Sequence, residues 1–527
     1  MTRDEIPTPS SLQGDAPSNS AADPRPSLVW FRHDLRLGDN PALCAAVNRG
    51  APVVCVYVLD DETPGEWAHG SASRWWLHHG LRALADDLQR LHGQRLILSR
   101  GRGEQAVAAL AEEIDAGGVF WNRSYAPFDR EPDSRLKTQL REAGRDARSF
   151  NGNLISEPAH LRNKSGGVFK VFTPFYRTMS AQEVSEPLPA PAAGNLPAPD
   201  AALDARLDSL SLEQLDLLPT APDWSAGLQA TWTPGEAGAI ARFEAFAEGG
   251  GMADYDEGRN LPDLDACSRL SPFLKFGHIS PRQVWHWTLA RIGADASIKE
   301  PAWAFLREIG WREFSYYLLF HFPTLLNRNW RPAFDGFPWR DDPDGFRAWS
   351  RGQTGYPMVD AGMRELWQTG WMHNRLRMIT GSFLVKHLLI SWQQGERWFW
   401  DTLVDADIAN NPASWQWVSG CGADAAPYFR IFNPITQGPK FDPKGAYARR
   451  FVPELNALDT KQLFSPWDAG PLTLSAADIR LGETYPAPIV DHAAARARAL
   501  AAFASIKGAP DDAKTPEQIV EKEAQAA

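Results

Sequence analysis

Hydrophobic positions divide this chain into two patterns. Between residues 27 and 121 they gather in short unbroken runs: Ser27–Arg32, Pro52–Val58, Arg95–Leu98 and Gly118–Trp121. Runs of this length without polar alternation predict strands buried on both faces. Amphipathic stretches of helical length, such as Trp75–Leu91 and Gly103–Ile114, separate them. Buried strands alternating with helices predict a doubly wound parallel sheet, an α/β domain over 27–160. Ligands of such sheets sit beyond the carboxyl ends of the strands, where His33, Asp34 and Arg36 follow the first run. An ordinary solvated loop explains each of these three equally well.

From 161 to 235 the pattern fades, and prolines punctuate the stretch from Pro187 to Pro234. This predicts an interdomain linker over the surface. It ends at Thr233-Pro-Gly-Glu236, which has the form of a capping box with Pro at the first helical position. From 236 to 507 the helical period takes over, in Glu236–Phe246, Ala302–Phe320, Val359–Trp367 and Asn374–Trp392. A second domain, all-helical, is expected there. The ends, 1–26 and 508–527, are polar and predicted to be tails.

Composition narrows the chemistry. Of 527 residues, 22 are tryptophan against 10 tyrosine, more than core packing requires. The net charge of −11 argues against a nucleic-acid partner, but charge is a sum and binding follows its distribution. Within 427–451, Arg430, Lys440, Lys444, Arg449 and Arg450 face a single Asp442, so a local basic face remains open. Four scattered cysteines form no CxxC pair, which fits a reducing compartment and no structural metal. Without a spanning apolar run or a signal-like leader, a cytoplasmic protein is expected. Walker A, G-x-S-x-G and H-E-x-x-H patterns are absent, and the first βα turn lacks G-x-G-x-x-G.

Several clusters carry candidate chemistry. Two serines and an arginine in Cys267-Ser268-Arg269-Leu270-Ser271-Pro272 gather at a predicted helix start, with Ser271 as N-cap. Such a start attracts phosphate, or is simply a cap. Ser280-Pro281 is a similar cap with no second serine. Asn374 and Met378 share a helix face, and Arg377 beside them needs a carboxylate from Asp405 or Asp407. Glu308, Trp311 and Arg312 fall on one face and suit a nucleobase, or equally an amphipathic helix edge. The segment 405–438 mixes Asp, Asn, Trp and Arg without a period of 2 or 3.6, as expected of a surface that grips a planar polar molecule.

Together these motifs resemble the photolyase/cryptochrome family, and within it the bacterial cyclobutane pyrimidine dimer photolyases. The resemblance rests on Trp30-Phe-Arg32-His-Asp34-Leu-Arg36, Ser268-Arg-Leu-Ser-Pro272, Trp311-Arg-Glu-Phe314, Gly355-Tyr-Pro357, Trp371-Met-His-Asn-Arg375 and Asp405-x-Asp407. It implies an α/β domain followed by a helical domain holding FAD. Tyr255 and Ser268-Arg269-Leu270-Ser271 are then expected at the FAD phosphates and ribose, with Cys267 where the family often carries Thr. Asp405, Ala406, Asp407 and Arg377 fall at the isoalloxazine edge, Asn411 at its N5, and Phe305 where relatives carry Trp. The resemblance further implies blue-light repair of cyclobutane dimers flipped out of DNA. Trp311 and Trp417 would wall the lesion pocket, Glu308 and Asn374 would bond base edges, and Met378 would pack on the dimer. Arg259, Arg312, Arg375, Arg430 and Gln437 would contact DNA, and Trp415, Trp392 and Trp339 would relay electrons to the flavin.

A cryptochrome lacking repair is the alternative, as is a (6-4) photolyase, which places His where this chain has Asn374. A monomer without an obligate protein partner is expected. The antenna chromophore is open between folate, deazaflavin and a second flavin. Phe128 and Asp129 replace the familiar folate-binding Asn-Glu pair, and Asp129 still offers a pterin an acceptor, so methenyltetrahydrofolate leads.

Overall fold

The computed structural model describes residues 23–425 and 429–507. The tails at 1–22 and 508–527, and Ala426-Pro427-Tyr428 within the aromatic–acidic segment, lie outside the described residues. Strands β1 (Ser27–Phe31), β2 (Val53–Leu59), β3 (Leu96–Arg100), β4 (Gly118–Asn122) and β5 (Asp146–Phe150) form one sheet in the order β3-β2-β1-β4-β5. All neighbours pair in parallel. Helices α1 (Pro41–Asn48), α2 (Ser71–His92), α3 (Gly103–Glu113) and α4 (Pro127–Glu142) make the crossovers. β5 was not foreseen, because its Asp-Ala-Arg-Ser-Phe sequence covers an edge and carries no apolar run.

Alternate residues of each strand enter two different cores. Leu28, Trp30, Val54, Val56 and Val119 pack under α3 and α4 in a smaller core that Leu207 also joins. Val29, Phe31, Cys55, Tyr57 and Leu98 belong to the core that continues through the helical domain. Trp76 of α2 shows the join: its ring lies 5.0 Å from Phe273 and 5.4 Å from Trp232, and its indole donates to His278 Nε2 at 3.0 Å.

At the switch point between β1 and β4, several polar side chains bond other protein groups. Asp34, buried there, accepts from Asn122 Nδ2 at 2.6 Å. Arg36, also buried, donates to the carbonyls of Gly277, Asp39 and Gly152 at 2.6–2.9 Å. Gly277 comes so near that a Cβ there would sit 2.0 Å from the His33 carbonyl oxygen. Arg36 therefore fastens the two domains through the Gly277 carbonyl, while the Asp34 carboxylate bonds within the α/β domain.

Several local expectations change. The first helix of the helical domain is Glu236–Glu248, but its cap is Gly235 at φ 119° with no side-chain bond. Glu236 instead accepts the Leu37 and Gly38 N–H groups at 2.8 and 3.0 Å, so the other domain draws its carboxylate away from a capping box. Ser271 begins the helix Ser271–Lys275 and does not cap it, because its hydroxyl donates to Asp405 Oδ2 at 2.6 Å. Ser280 does cap its helix, in a capping box with Gln283. The expected single helix Asn374–Trp392 is broken: Asn374–Ser382 passes into a π-type turn, Phe383–Leu388, and Leu389 reverses the backbone at φ 57°. Every residue from 379 to 390 is buried, so hydrophobicity there carries no helical period.

The stretch 161–235 crosses between the domains but is built into the core. Leu196, Leu215, Leu217 and Trp232 are buried, and the helix Phe172–Met179 packs on Lys299–His321. Among the described residues, no helix is long and apolar enough to cross a membrane.

Candidate functional site

A cavity of about 540 Å³ opens into the helical domain. It falls in the range of small-molecule sites. Its two halves differ in chemistry.

In the inner half, Asp405 accepts three bonds from two groups: Arg377 Nη2 at 2.8 and 3.1 Å through its two oxygens, and Ser271 Oγ. Arg377 is fixed by a second bond from Nε to the Met372 carbonyl at 2.8 Å. Asp407 does not pair with Arg377. Its Oδ1 accepts from the Ala409 and Asn410 N–H groups and from Asn410 Nδ2, starting the helix Asn410–Ser419, and its Oδ2 accepts from Tyr316 at 2.6 Å. Asn411, on the first turn of that helix, donates to the Glu396 carbonyl at 3.2 Å and lines the cavity. Ala406, Ser268 and Leu270 line it too.

Tyr255 and Phe305 form one aromatic corner, with ring centres 5.5 Å apart in an edge contact. Trp415 is buried against the chain of Gly395, where a Cβ would stand 2.2 Å from the indole; its Nε1 has no hydrogen-bond partner among the described residues. Lys275, missed from the sequence, is buried beside Asp405 and Asp407, and burial pushes its ammonium down to about 7. A lysine inside Phe-Leu-Lys-Phe-Gly was the available signal.

The outer half is aromatic and guanidinium-lined. Glu308 accepts from Arg259 Nη1 at 2.7 Å, and Arg259 lies 5.1 Å over the Tyr255 ring. Trp311 stands on one wall, stacked on Phe172 at 3.6 Å and 6°. Trp417 also lines the cavity, and its indole donates to the Asp424 carbonyl at 3.2 Å. Asn374 and Met378 project from one helix face between them.

Apart from Arg312, the other expected residues fall outside the lining. Cys267 lies 3.4 Å from His373 Nε2, and Arg269 covers Trp371 at 4.9 Å. Arg375 sits over Phe441 at 4.2 Å and bonds Asn260. Arg430 is exposed over Phe432, and Gln437 is half-buried on the helix Pro434–Phe441. Trp392 is buried with its indole on Asn329, and Trp339 is half-buried 4.4 Å from Phe337. Arg312 departs from expectation. It donates to the Asn153 carbonyl at 2.8 Å and pairs with Glu313, so its side chain, 11% exposed, ties the domains together instead of facing DNA.

A second, smaller cavity of about 120 Å³ lies between the domains. Trp30, Tyr57 and Trp400 give it flat walls, and Asp60, Asp129 and Asp133 give it carboxylates. Burial pushes Asp129 up to about 6. Leu274, Lys275, Arg312, Ala406 and Asp407 line both cavities.

The donor set of the larger cavity fits FAD. Hydroxyls at a helix start suit a pyrophosphate. The fixed carboxylate–guanidinium pair, Asn411 and the unpartnered Trp415 indole suit a flat, hydrogen-bonding ring system.

Residues 305–505 match the FAD binding domain of DNA photolyase, and residues 27–192 match DNA photolyase itself. A deoxyribodipyrimidine photo-lyase of Agrobacterium fabrum is 51% identical over 485 residues, 92% of this chain and 98% of that one. The chain belongs to the DNA photolyase family. A crystal structure of a class III photolyase from Agrobacterium tumefaciens, 50% identical, superposes with a TM-score of 0.86 over 93% of this photolyase-family chain and all of that one. Cryptochrome-1 of Arabidopsis thaliana is 38% identical over 90% of this chain and 69% of its own. The α/β and helical layers of this family member, with an FAD-binding helical domain, agree with the fold read from its strand runs and helical periods.

Proposed function

We propose that this protein is a deoxyribodipyrimidine photo-lyase that repairs cyclobutane pyrimidine dimers in DNA under blue light. The observation that carries this reading is the single cavity with two chemistries: a flavin-suited inner half and an aromatic outer half containing Glu308, Trp311, Asn374, Met378 and Trp417.

A dimer inside a duplex cannot reach a cavity within the helical domain, so it must be flipped out. Its weakened pairing lowers that cost and selects damaged bases. Trp311 and Trp417 flank the flipped dimer by stacking. Glu308, oriented by Arg259, and Asn374 bond the base edges, while Met378 packs on the ring pair. Arg259, Arg375, Arg430 and Gln437 contact the strand around the opening, which makes affinity fall with salt. Arg377, Asp405, Ala406, Asp407 and Asn411 would hold the flavin ring system, and Tyr255, Phe305, Ser268, Leu270 and Ser271 would hold the rest, with Cys267 and Arg269 supporting that turn from behind. The chemistry supplied by reduced FAD bound there is transfer of one electron to the dimer on excitation, and its return after the cyclobutane bonds open. Trp339, half-exposed, Trp392, buried, and Trp415, at the cavity, carry electrons inward when the cofactor must first be reduced.

The (6-4) chemistry is disfavoured by His373. It is buried, its Nδ1 accepts from the Arg375 N–H at 3.1 Å, and burial holds its protonation down to about 3. Asn374, not His373, lines the cavity. The smaller cavity suits methenyltetrahydrofolate as antenna: flat walls for a pterin and the Asp129 carboxylate for its N–H donors. We further propose a cytoplasmic monomer without an obligate protein partner; the domain limits are 27–160 and 236–507.

The deciding experiment incubates a dimer-containing oligonucleotide with reduced protein under blue light and in the dark. Light-dependent loss of dimer is expected. Its absence overturns the repair reading in favour of a cryptochrome-type receptor. The absorption spectrum of the purified protein identifies the antenna.

A further inference from the structure

Asp424 joins the two tryptophan walls of the outer cavity. Its backbone carbonyl accepts from the Trp417 indole at 3.2 Å, and its carboxylate accepts from the Phe172 N–H at 3.2 Å. Phe172 begins the helix Phe172–Met179 and stacks on Trp311 at 3.6 Å and 6°. Tyr176, one turn on, stacks on Phe172 at 5.5 Å. This ring pile fits because Gly310 lies beneath Tyr176, where a Cβ would meet the ring at 2.4 Å. Each tryptophan thus hangs on a different element, Trp311 on the long helix Lys299–His321 and Trp417 on Asn410–Ser419. Asp424 holds an element backing the first and the indole of the second. It does so at φ 52°, a left-handed conformation that Asp adopts more readily than most residues.

We infer that Asp424 is a positioning residue that, with Phe172, sets the gap between Trp311 and Trp417, and so selects a fused pair of bases over a single base. A stacking slot of fixed width rewards a ligand that fills it; one free to spread or close accepts either. The inference rests on the reading of Trp311 and Trp417 as lesion walls. It gives the segment ahead of residue 180 a part in recognition, through Phe172 behind Trp311.

The test measures binding of a dimer-containing oligonucleotide and of its undamaged twin to the FAD-loaded full chain, with light-driven repair beside it. Asp424→Gly keeps the carbonyl and relieves the backbone but removes the acceptor for Phe172. It is expected to weaken dimer binding roughly ten-fold, the size of one lost charge-assisted bond, while undamaged binding holds. Asp424→Asn retains an acceptor and tolerates the left-handed backbone, and is expected to restore dimer binding to within about two-fold of wild type. Phe172→Leu, which removes the stacked ring, lowers the same dimer preference. Asp424→Gly with wild-type preference, equal loss for both DNAs, or no rescue by Asn overturns the inference while wild-type repair leaves the photolyase reading standing. If Asp424→Gly does not retain flavin, Phe172→Leu decides: unchanged dimer preference overturns the inference. A wild-type protein with neither dimer preference nor photorepair overturns the photolyase reading, and the inference with it.

Discussion

Replacing Arg377 with methionine removes a cation while nearly keeping its stem volume, and leaves the Asp405 carboxylate in place. That carboxylate is 3% exposed and accepts both of its arginine bonds from the one Nη2. Without Arg377 its remaining hydrogen bond among the described residues is from the Ser271 hydroxyl, with the buried Lys275 nearby. Removing one partner of a buried pair typically costs about 3–5 kcal/mol. The Arg377 side chain is 26% exposed, so water partly replaces it and the lower end, about 3 kcal/mol, applies. Asp405→Asn runs the other way. The neutral amide still accepts a bond, and Arg377 still reaches water and the Met372 carbonyl, so about 1 kcal/mol is expected. Denaturant titrations of flavin-free protein, followed by tryptophan fluorescence, measure both. A cost below about 1 kcal/mol for Arg377→Met, or a larger cost for Asp405→Asn, refutes the view that the pair is a pre-built clamp. Flavin retention is expected to fall in both.

Three further outcomes follow from the same geometry. Trp339→Phe is expected to slow photoreduction yet spare repair by chemically reduced enzyme; loss of both activities contradicts a role confined to electron supply. Folate affinity at the smaller cavity is expected to be flat above about pH 6 and to fall by up to ten-fold per unit below it, since the ionised Asp129 is the binding form, held near 6 by burial. Asp129→Asn, titrated by folate absorbance, should abolish that slope. Glu236→Ala strands the Leu37 and Gly38 N–H groups, at about 1–3 kcal/mol each, and a fall in the unfolding midpoint measures it.

The sequence reveals the fold where one physical demand acts alone. Strands buried on both faces must be apolar throughout, so β1 to β4 stand out, whereas β5 at the sheet edge needs no such run. Asn374–Trp392 misleads for the opposite reason: total burial erases the period that distinguishes a continuous helix from one broken at Leu389. Caps fail where a distant partner competes, as at Glu236 and Ser271. At the site, five residues of the aromatic–acidic segment, Asp405, Asp407, Asn411, Trp415 and Trp417, do come together in the lining of one cavity. Arg312 and Asp424 were beyond reach, because their partners lie 159 and 252 residues away.

Phe31, Trp76 and Leu98 pack into the same continuous core as Phe273 and Phe305. A cut at residue 235 would therefore not release two modules but two torn surfaces, each presenting large apolar side chains to water. Recombination that exchanges only the α/β half between distant relatives would meet the same obstacle: the incoming sheet must match an interior it did not evolve with. The two halves are thus expected to pass through descent together.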